Sequence, residues 1–410
     1  MAKIRPFRAI RPKNELADQI AALPYDVYDR KEAKKIVQEQ PLSFLKIDRA
    51  ETQFDDSVDT YADVVYEKAR DIYLSMKEEG QFVQDAKPCL YLYELTMNGR
   101  AQTGIVCCAS IDDYLDGTIK KHESTRADKE VDRIRHVDTM SAQTGPIFLA
   151  YHADQKLKEL VSKIKEKTCE VDFTSEDQIT HRVWVIDDEN EIRDVTGILA
   201  GMELYIADGH HRCASAAKVG LKRREEHPGY TGEEEFNYFL SVLFPDEELL
   251  ILDYNRVVKD LNGHSREETL EFLKTVGELR DEGKEPYRPK KKGECGVFMD
   301  DQWYSLTFSD AVKSDDPVKG LDVSILQDHV LTPFFSITNP REDKRIDFIG
   351  GIRGLSELER RVHEDAVIAF AMYPTQINEL CAVADAGLLM PPKSTWFEPK
   401  LRSGLFIHEI

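Results

Sequence analysis

The sequence predicts an α+β fold with two regions, a mixed-sheet region at the N-terminus and a second, α/β region at the C-terminus. Helical and strand-like hydrophobic periods alternate along the 410 residues, as expected when helices pack on a sheet. Residues 89–97 and 103–111 have strand-like patterns and flank Asn98-Gly99, a dipeptide that accepts the positive φ angles of a type I' hairpin turn. Hydrophobic residues make up 41% of the chain, which is enough for a folded core throughout.

The first elements before this hairpin are a strand and two helices. Residues 4–10 predict a strand, and a proline bend at residues 24–26 leads into a helix at residues 31–38. Apolar residues three or four apart predict a longer helix within residues 56–79. These elements belong to the N-terminal region.

Strands and helices continue to alternate after the hairpin and a polar segment at residues 120–138. The charged stretch 222–235 contains Pro and Gly and predicts a loop, so we expect one domain over residues 1–235 and another over 236–410. The patterns predict strands at 147–151, 183–186 and 202–207, helices at 156–167 and from 210 to Gly220, a strand pair at 239–244 and 249–252, strands at 295–299 and 303–308, and helices at 265–276, 323–331 and 356–362.

Charge and cysteine content narrow the class of protein. The formal net charge of -21 repels phosphate backbones and disfavours nucleic acid as a partner. The seven cysteines form no Cys-x-x-Cys pair, which argues against a disulfide framework or a cysteine zinc site. The N-terminus has no apolar signal region and no long apolar run follows, so the sequence predicts a cytoplasmic protein without a membrane partner.

The segment Ile206-Ala207-Asp208-Gly209-His210-His211-Arg212 is the strongest candidate for an active-site element. A strand that ends in Asp-Gly and opens a helix points backbone N–H groups at one place, which favours an anion such as phosphate. We expect Gly209, His211 and Arg212 to hold phosphate, and Asp208 and His210 to take part in the chemistry. Asp208 is also the candidate ligand for Mg²⁺. The alternative is that Asp208 only caps the helix and the histidines pack locally.

A second cluster lies at residues 120–126, where two lysines, an imidazole, a carboxylate and two hydroxyls precede Arg126. Glu123 is the candidate general base, and His122 is a candidate phosphate ligand. The zinc pattern His-Glu-x-x-His fails because position 126 is arginine. The alternative interpretation of this segment is a solvated basic loop.

A third candidate segment is the proline-rich loop at residues 390–400. Lys393, Ser394 and Thr395 could meet an anion there, with Lys393 neutralising transferred charge. The glycines of a P-loop are absent, so these three residues alone are a weak signal. A loop that only braces the C-terminus is the alternative.

Five segments together resemble one family. The turn at residues 206–212 resembles the ParB/sulfiredoxin superfamily, which binds nucleotide phosphates at a basic turn that opens a helix. Residues 6–12, 24–27, 122–125, 206–212 and 390–400, in this order, resemble the domain-of-unknown-function family 1015, whose members are often described as ParB-like or serine-kinase-like. The resemblance implies a ParB/sulfiredoxin-like fold for the N-terminal region.

Two departures from this pattern narrow the implied activity. His210 stands where sulfiredoxin-like turns carry a reactive cysteine, and no helix-turn-helix follows the turn as in ParB-like proteins. The resemblance that remains is to free serine kinases. It implies a phosphotransferase that uses ATP or ADP with Mg²⁺ and a small hydroxyl substrate such as serine. A phosphatase of phosphoserine or a similar monoester and a non-catalytic nucleotide-binding regulator are the alternatives, and the oligomeric state is left open.

Overall fold

The computed structural model describes residues 2–125 and 127–410 and divides them into two compact units. Unit 1 runs to Leu249 and also includes Pro399–Ile410, while unit 2 is Leu250–Glu398. This division differs from the predicted boundary at residues 235/236. The reason is that the strand Tyr238–Pro245 pairs with two other strands of unit 1, so the chain leaves this unit only after it.

The helices and strands of unit 1 alternate along the chain up to Leu249. The strands are β1 (Ile4–Arg5), β2 (Ile10–Pro12), β3 (Phe82–Gln84), β4 (Leu90–Met97), β5 (Arg100–Ser110), β6 (Ile119–Lys120), β7 (Ala142–Gln143), β8 (Ile147–Tyr151), β9 (Val171–Thr174), β10 (Thr180–Ile186), β11 (Leu204–Asp208) and β12 (Tyr238–Pro245). The helices are α1 (Ala17–Ile20), α2 (Arg30–Glu39), α3 (Leu45–Asp48), α4 (Asp63–Glu78), α5 (Ile111–Leu115), α6 (Ala127–Met140), α7 (Gln155–Lys165), α8 (Glu189–Leu199) and α9 (His210–Glu226).

Unit 2 follows, and a last short strand returns to unit 1. The strands of unit 2 are β13 (Leu250–Leu252), β14 (Tyr254–Val258), β15 (Gly277–Gly283), β16 (Glu294–Met299), β17 (Gln302–Phe308), β18 (Ile346–Gly350), β19 (Ile368–Met372) and β20 (Trp396–Glu398). Its helices are α10 (Arg266–Val276), α11 (Asp322–Leu326), α12 (Leu355–Glu364) and α13 (Ile377–Asp385), and the returning strand is β21 (His408–Glu409).

The main sheet of unit 1 is mixed, as the sequence predicts, in the order β6-β11-β8-β12-β5-β4-β10-β9 with β1 beside β5. The β6–β11 and β8–β12 pairs are parallel and the other pairs along this order are antiparallel. Buried apolar residues of the sheet, such as Leu92, Ile105 and Ile206, pack with residues of α7, α8 and α9 in one core. This core holds β11 and α9 in place, and the candidate turn lies between them.

The predicted hairpin is confirmed. Asn98 and Gly99 both have positive φ angles, 51° and 79°, and β4 pairs with β5 in antiparallel register on either side of them. The local turn chemistry alone therefore specifies this part of the fold.

Three local predictions need correction. The opening strand divides into β1 and β2, and the polar segment after residue 120 contains the helix α6. Helix α9 does not stop at Gly220 but continues to Glu226. A methyl group at Gly220 would lie 2.4 Å from the backbone oxygen of Phe236, so this glycine serves close packing rather than helix termination.

The predicted pairing of residues 239–244 with 249–252 is wrong. Strand β12 lies between β5 and β8, whereas β13 pairs with β20. Both segments are strands, but their apolar composition carries no information about which partner each of them finds.

The sheet of unit 2 has the order β15-β17-β16-β19-β14-β18, and its pairs are all antiparallel among the described strands. The C-terminal region was expected to be α/β, which implies parallel strands joined by crossover helices. The antiparallel pairing makes it α+β instead. The predicted helices and strands of this region are otherwise close to those observed, for example α10 and β16.

Two further expectations concern membranes and disulfides. Among the described helices, none is long and apolar enough to cross a membrane. All seven cysteines are free thiols, and most of them are buried. Both findings agree with the composition of the chain.

The packing of β5 against β12 gives a testable prediction. A methyl group at Gly104 would lie 2.5 Å from a side-chain carbon of Val242 and 2.7 Å from the ring of Phe244. We expect Gly104→Ala to lower the free energy of unfolding by about 1–3 kcal/mol in urea denaturation, because the strand core has no room for the added methyl group.

Gly197 provides the matched control for Gly104→Ala. It lies in α8 and is exposed, and a methyl group added to it would have no neighbouring atom within 4 Å. Gly197→Ala should leave stability unchanged or raise it by up to about 1 kcal/mol, because alanine is the better helix former. Equal stability of the two variants would contradict the packing described for Gly104.

Candidate functional site

The candidate turn joins β11 to α9 and has the strand–turn–helix geometry that the sequence predicts. β11 ends at Asp208, Gly209 is left-handed with φ 93° and ψ 30°, and α9 begins at His210. Gly209 is at the N-cap position and has no side chain that could cap this helix. The first N–H groups of a helix have no acceptor within it, so the turn presents backbone donors and the positive end of a 17-residue helix at one place.

Arg212 is the side chain that the turn positions most firmly. Its Nη1 atom donates a hydrogen bond to the Pro146 carbonyl at 2.6 Å, and Nη2 lies 3.6 Å from a carboxylate oxygen of Asp208. A methyl group at Gly209 would lie 3.0 Å from Nη2 of this guanidinium. Gly209 therefore serves two purposes, since it adopts the left-handed turn and leaves room for Arg212.

Asp208 lies between two cationic groups. Its carboxylate is 3.4 Å from Nζ of Lys400 and 3.6 Å from Arg212. Burial by itself would raise the pKa of this carboxyl, but Lys400 and Arg212 outweigh it and hold the pKa well below its usual range. The side chain is 37% exposed, so this ionised carboxylate still reaches solvent.

Lys400 was not singled out by the sequence analysis. It lies at the end of the 390–400 segment that resembles the family, and the C-terminal return of the chain into unit 1 places it beside Asp208. A pattern of neighbouring residues gives no signal for this contact, because 192 positions separate the two residues.

His122 and His210 pack edge to face, with ring centroids 4.5 Å apart. They are 2% and 5% exposed, and three of their ring nitrogens have no hydrogen-bond partner of normal geometry among the described residues. Burial lowers the pKa of His122 to about 4, although the nearby Ile206 backbone and Asp208 act in the opposite direction. Burial and then His122 lower the pKa of His210 far below its usual value, so both rings are neutral at pH 7.

Glu123 lies beside this pair. Its carboxylate is 3.9 Å from Nδ1 of His210 and 35% exposed. The contact arises because β6 runs parallel to β11, so the residues that follow Lys120 come next to the start of α9. Lys120 itself pairs with Glu203 at 2.6 Å. The two predicted clusters thus meet in one place, except that Arg126 lies outside the described residues.

His211 and the residues of the 390–400 loop have different surroundings. His211 is half-buried in the first turn of α9, where its carbonyl accepts a hydrogen bond from Ser215. Lys393, Ser394 and Thr395 belong to unit 2, where the Ser394 hydroxyl donates to the Pro391 carbonyl at 2.7 Å. That bond agrees with a local structural role for the serine, and the predicted anion contacts of these three residues stay a prediction.

A small cavity of about 30 Å³ adjoins the turn and is lined by Arg212. Four of the other lining residues have titratable side chains, namely Tyr25, Asp48, Arg133 and His136. The sequence analysis assigned none of these four residues to the site. Asp48 and His136 lie on helices whose hydrophobic periodicity gives no sign that they face Arg212.

The described residues include no group of three or more His, Cys, Asp or Glu side chains that could hold a metal ion. Mg²⁺ is commonly bound through one or two carboxylates and the phosphates of a nucleotide. At the turn, the carboxylate available to such an ion is Asp208, which Lys400 and Arg212 flank, and its role as a Mg²⁺ ligand stays a prediction.

The comparisons with known proteins identify a family. A family model described as "Protein of unknown function (DUF1015)" matches residues 4–324. None of the curated proteins with which the chain was compared matches it.

Several solved structures are similar at low identity. A mutant free serine kinase in complex with AMP is 14% identical, with a TM-score of 0.34 over 72% of this chain and 87% of that chain. A conserved hypothetical protein from Pyrococcus furiosus is 15% identical, with a TM-score of 0.33 over 73% of this chain and 93% of that chain. C-terminally truncated SbnI from Staphylococcus aureus is 11% identical, with a TM-score of 0.34 over 72% of this chain and 82% of that chain.

The contact between Gly209 and Arg212 gives a prediction about stability. We expect Gly209→Ala to lower the free energy of unfolding by more than the roughly 1–2 kcal/mol that a left-handed alanine costs, because the methyl group also meets the guanidinium. Gly99→Ala is the control, since Gly99 is left-handed but has nothing within 4 Å. Urea denaturation measures the free energy of unfolding of both variants. An equal loss in the two would mean that the guanidinium of Arg212 does not obstruct a methyl group at residue 209.

The buried histidine pair gives a prediction about pH. The unfolded chain takes up protons on histidine near pH 6.5, while folded His122 stays neutral down to about pH 4. The contribution of His122 to the free energy of unfolding is therefore fully present above pH 6.5. It falls as the pH is lowered from 6.5 to about 4, by at most about 1.4 kcal/mol per pH unit for one histidine. In His122→Phe the contribution of this histidine to the pH dependence of the free energy of unfolding should disappear. Urea denaturation at several pH values measures this dependence. An unchanged slope would contradict the neutral burial of His122.

Proposed function

The chain belongs to the DUF1015 family, and we propose that it is a small-molecule phosphotransferase that binds a nucleotide at the turn formed by residues 208–212. The observation that carries the proposal is the placement of Arg212 in the first turn of α9. Its guanidinium is held by the Pro146 carbonyl and by Asp208, and it lines a cavity. A fixed guanidinium beside the N–H groups of a helix's first turn is suited to phosphate oxygens.

The charges around the turn support a phosphate ligand. Lys400 and Arg212 bring two positive charges to one carboxylate, Asp208. His122 and His210 are neutral, so they allow close approach without adding charge. Transfer of a phosphoryl group depends mainly on positioning and on stabilising the charge of the transferred group. In this proposal Lys400 takes the charge-neutralising role that the sequence suggested for Lys393.

A magnesium ion would enter the site together with the nucleotide. Asp208 would supply the protein carboxylate, and the phosphates would supply other oxygens. When bound, the ion would screen the charge of the phosphates. Everything else in the proposal is done by the side chains of the chain itself.

Glu123 is the proposed general base. It would accept the proton of the substrate hydroxyl while the hydroxyl oxygen forms a bond to the terminal phosphorus and the bond to the leaving nucleotide breaks. The neighbouring His210, 3.9 Å away, is neutral and does not neutralise this carboxylate. His211 and the backbone of Gly209 are the proposed additional phosphate contacts.

The test of this proposal is phosphate transfer to serine and to a panel of other small hydroxy compounds. The first nucleotides to use are ATP and ADP with Mg²⁺, since AMP and ADP occur in the similar kinase structures. Mass spectrometry should detect the phosphorylated product together with ADP or AMP. Background product across the panel would rule the kinase out. Release of phosphate from phosphoserine without nucleotide would identify a phosphatase instead, and DNA binding at low salt would favour a regulator.

Arg212→Ala should weaken nucleotide binding in isothermal titration calorimetry by at least about tenfold, because charge-assisted hydrogen bonds of about 1.5–3 kcal/mol are lost. Arg193→Ala is the matched control, as Arg193 lies on α8 and its side chain bonds only to the nearby Asn190 among the described residues. Equal nucleotide affinity of both variants would remove Arg212 from the site.

A further inference from the structure

A larger cavity of about 340 Å³ lies next to the small cavity that Arg212 lines. Tyr25, Asp48, Arg133 and His136 line both cavities, so the two spaces adjoin. The larger cavity belongs entirely to unit 1. It is large enough for a small metabolite, and the shared lining residues connect it with the space that Arg212 lines.

The lining of this cavity contains more acidic than basic side chains. Its described lining contains five carboxylates and three lysines or arginines. All three of these cationic side chains already have partners within the protein. The ammonium group of Lys129 donates a hydrogen bond to the Tyr61 hydroxyl at 3.4 Å. Arg49 pairs with Glu51 at 2.6 Å, and Arg133 pairs with Asp132 at 2.9 Å while it stacks on the ring of Tyr25. A negatively charged ligand therefore finds no unpaired arginine among the described lining residues.

Asp48 is the lining carboxylate that lacks such compensation. It is 5% exposed, and the hydrogen bond that its side chain receives comes from the Thr144 hydroxyl at 3.0 Å. Among residues 2–125 and 127–410, no cationic group lies within 4.0 Å of its carboxylate, and its other oxygen accepts no hydrogen bond. A buried carboxylate without a cationic partner is costly, so this position favours a cation from outside.

The other groups that face Asp48 do not supply that cation. Burial and then Arg133 lower the pKa of His136 to about 4, so its ring is neutral at pH 7. Arg133 is near enough for Asp48 to stabilise its charge, but its guanidinium is directed to Asp132. Tyr25 and Tyr66 also line the cavity, and their rings already pack against the guanidinium groups of Arg133 and Arg135.

We infer that the cavity binds the ammonium group of an amine-bearing alcohol, with Asp48 as its ion-pair partner and the hydroxyl directed toward the space that Arg212 lines. This inference rests on the proposed function and specifies the substrate class of the same site. Asp48 would be a specificity-determining residue, because a neutral or acidic alcohol of the same size gains nothing from its charge.

The test compares three alcohols of similar size, namely ethanolamine, ethylene glycol and glycolate, by isothermal titration calorimetry on the full chain with ADP present and absent. Ethanolamine should bind at least about tenfold more tightly than the other two, the gain expected of one ion pair worth about 1.4 kcal/mol. Ethanolamine binding that is no tighter than that of ethylene glycol would overturn the inference, whatever the variants do.

Asp48→Asn should remove the preference for ethanolamine and leave ADP binding unchanged. Asp26→Asn is the matched control, since it removes one carboxylate from the exposed rim of the same cavity and should retain most of the preference. Thermal unfolding of both variants establishes that they are folded. A folded Asp48→Asn protein that keeps the full preference would overturn the assignment of Asp48.

The two proposals fail in different ways. If ADP binds and depends on Arg212 while ethanolamine shows no preference, the inference fails and the phosphotransferase proposal stands. If ethanolamine binds through Asp48 while no nucleotide binds, the proposed function fails and the ammonium site stands.

Discussion

The candidate site depends on how Arg212 is held. Its guanidinium donates to the Pro146 carbonyl, lies near Asp208, and packs against the bare backbone of Gly209. A long cationic side chain normally loses much conformational freedom when it binds an anion. Here the surrounding backbone has already restricted it, so little further ordering is needed for a phosphate to bind. The left-handed glycine and the bend into α9 are the structural conditions for this arrangement.

The main sheet brings the remaining groups to this arginine. The parallel pairing of β6 with β11 places His122 and Glu123 beside His210, and the C-terminal return of the chain places Lys400 beside Asp208. The result is a strongly ionised carboxylate between two cations, next to a neutral, buried pair of imidazoles. Three ring nitrogens of these two buried histidines have no hydrogen-bond partner among the described residues. Such burial costs stability, and such costs are concentrated at functional sites.

The adjoining cavity has the opposite electrostatic character. Cations converge at the turn, whereas the cavity has more carboxylates than cations, and its arginines are paired within the protein. A ligand with a phosphate acceptor group at one end and an ammonium group at the other would match both environments. The transition from one to the other occurs over the residues that the two cavities share, which include Asp48 and Arg133.

The sequence by itself determined the features that depend on neighbouring residues. Asn98-Gly99 specifies the hairpin, and Asp208-Gly209 followed by a basic helix start specifies the turn, because φ preferences and helix polarity are local properties. Only the tertiary structure decided that Lys400 meets Asp208, that Gly220 packs against another backbone rather than ending α9, and that Asp48 is buried without a cationic partner within 4 Å among the described residues. These outcomes depend on strand order and on contacts between distant segments, and neither hydrophobic periodicity nor residue spacing records which segments meet.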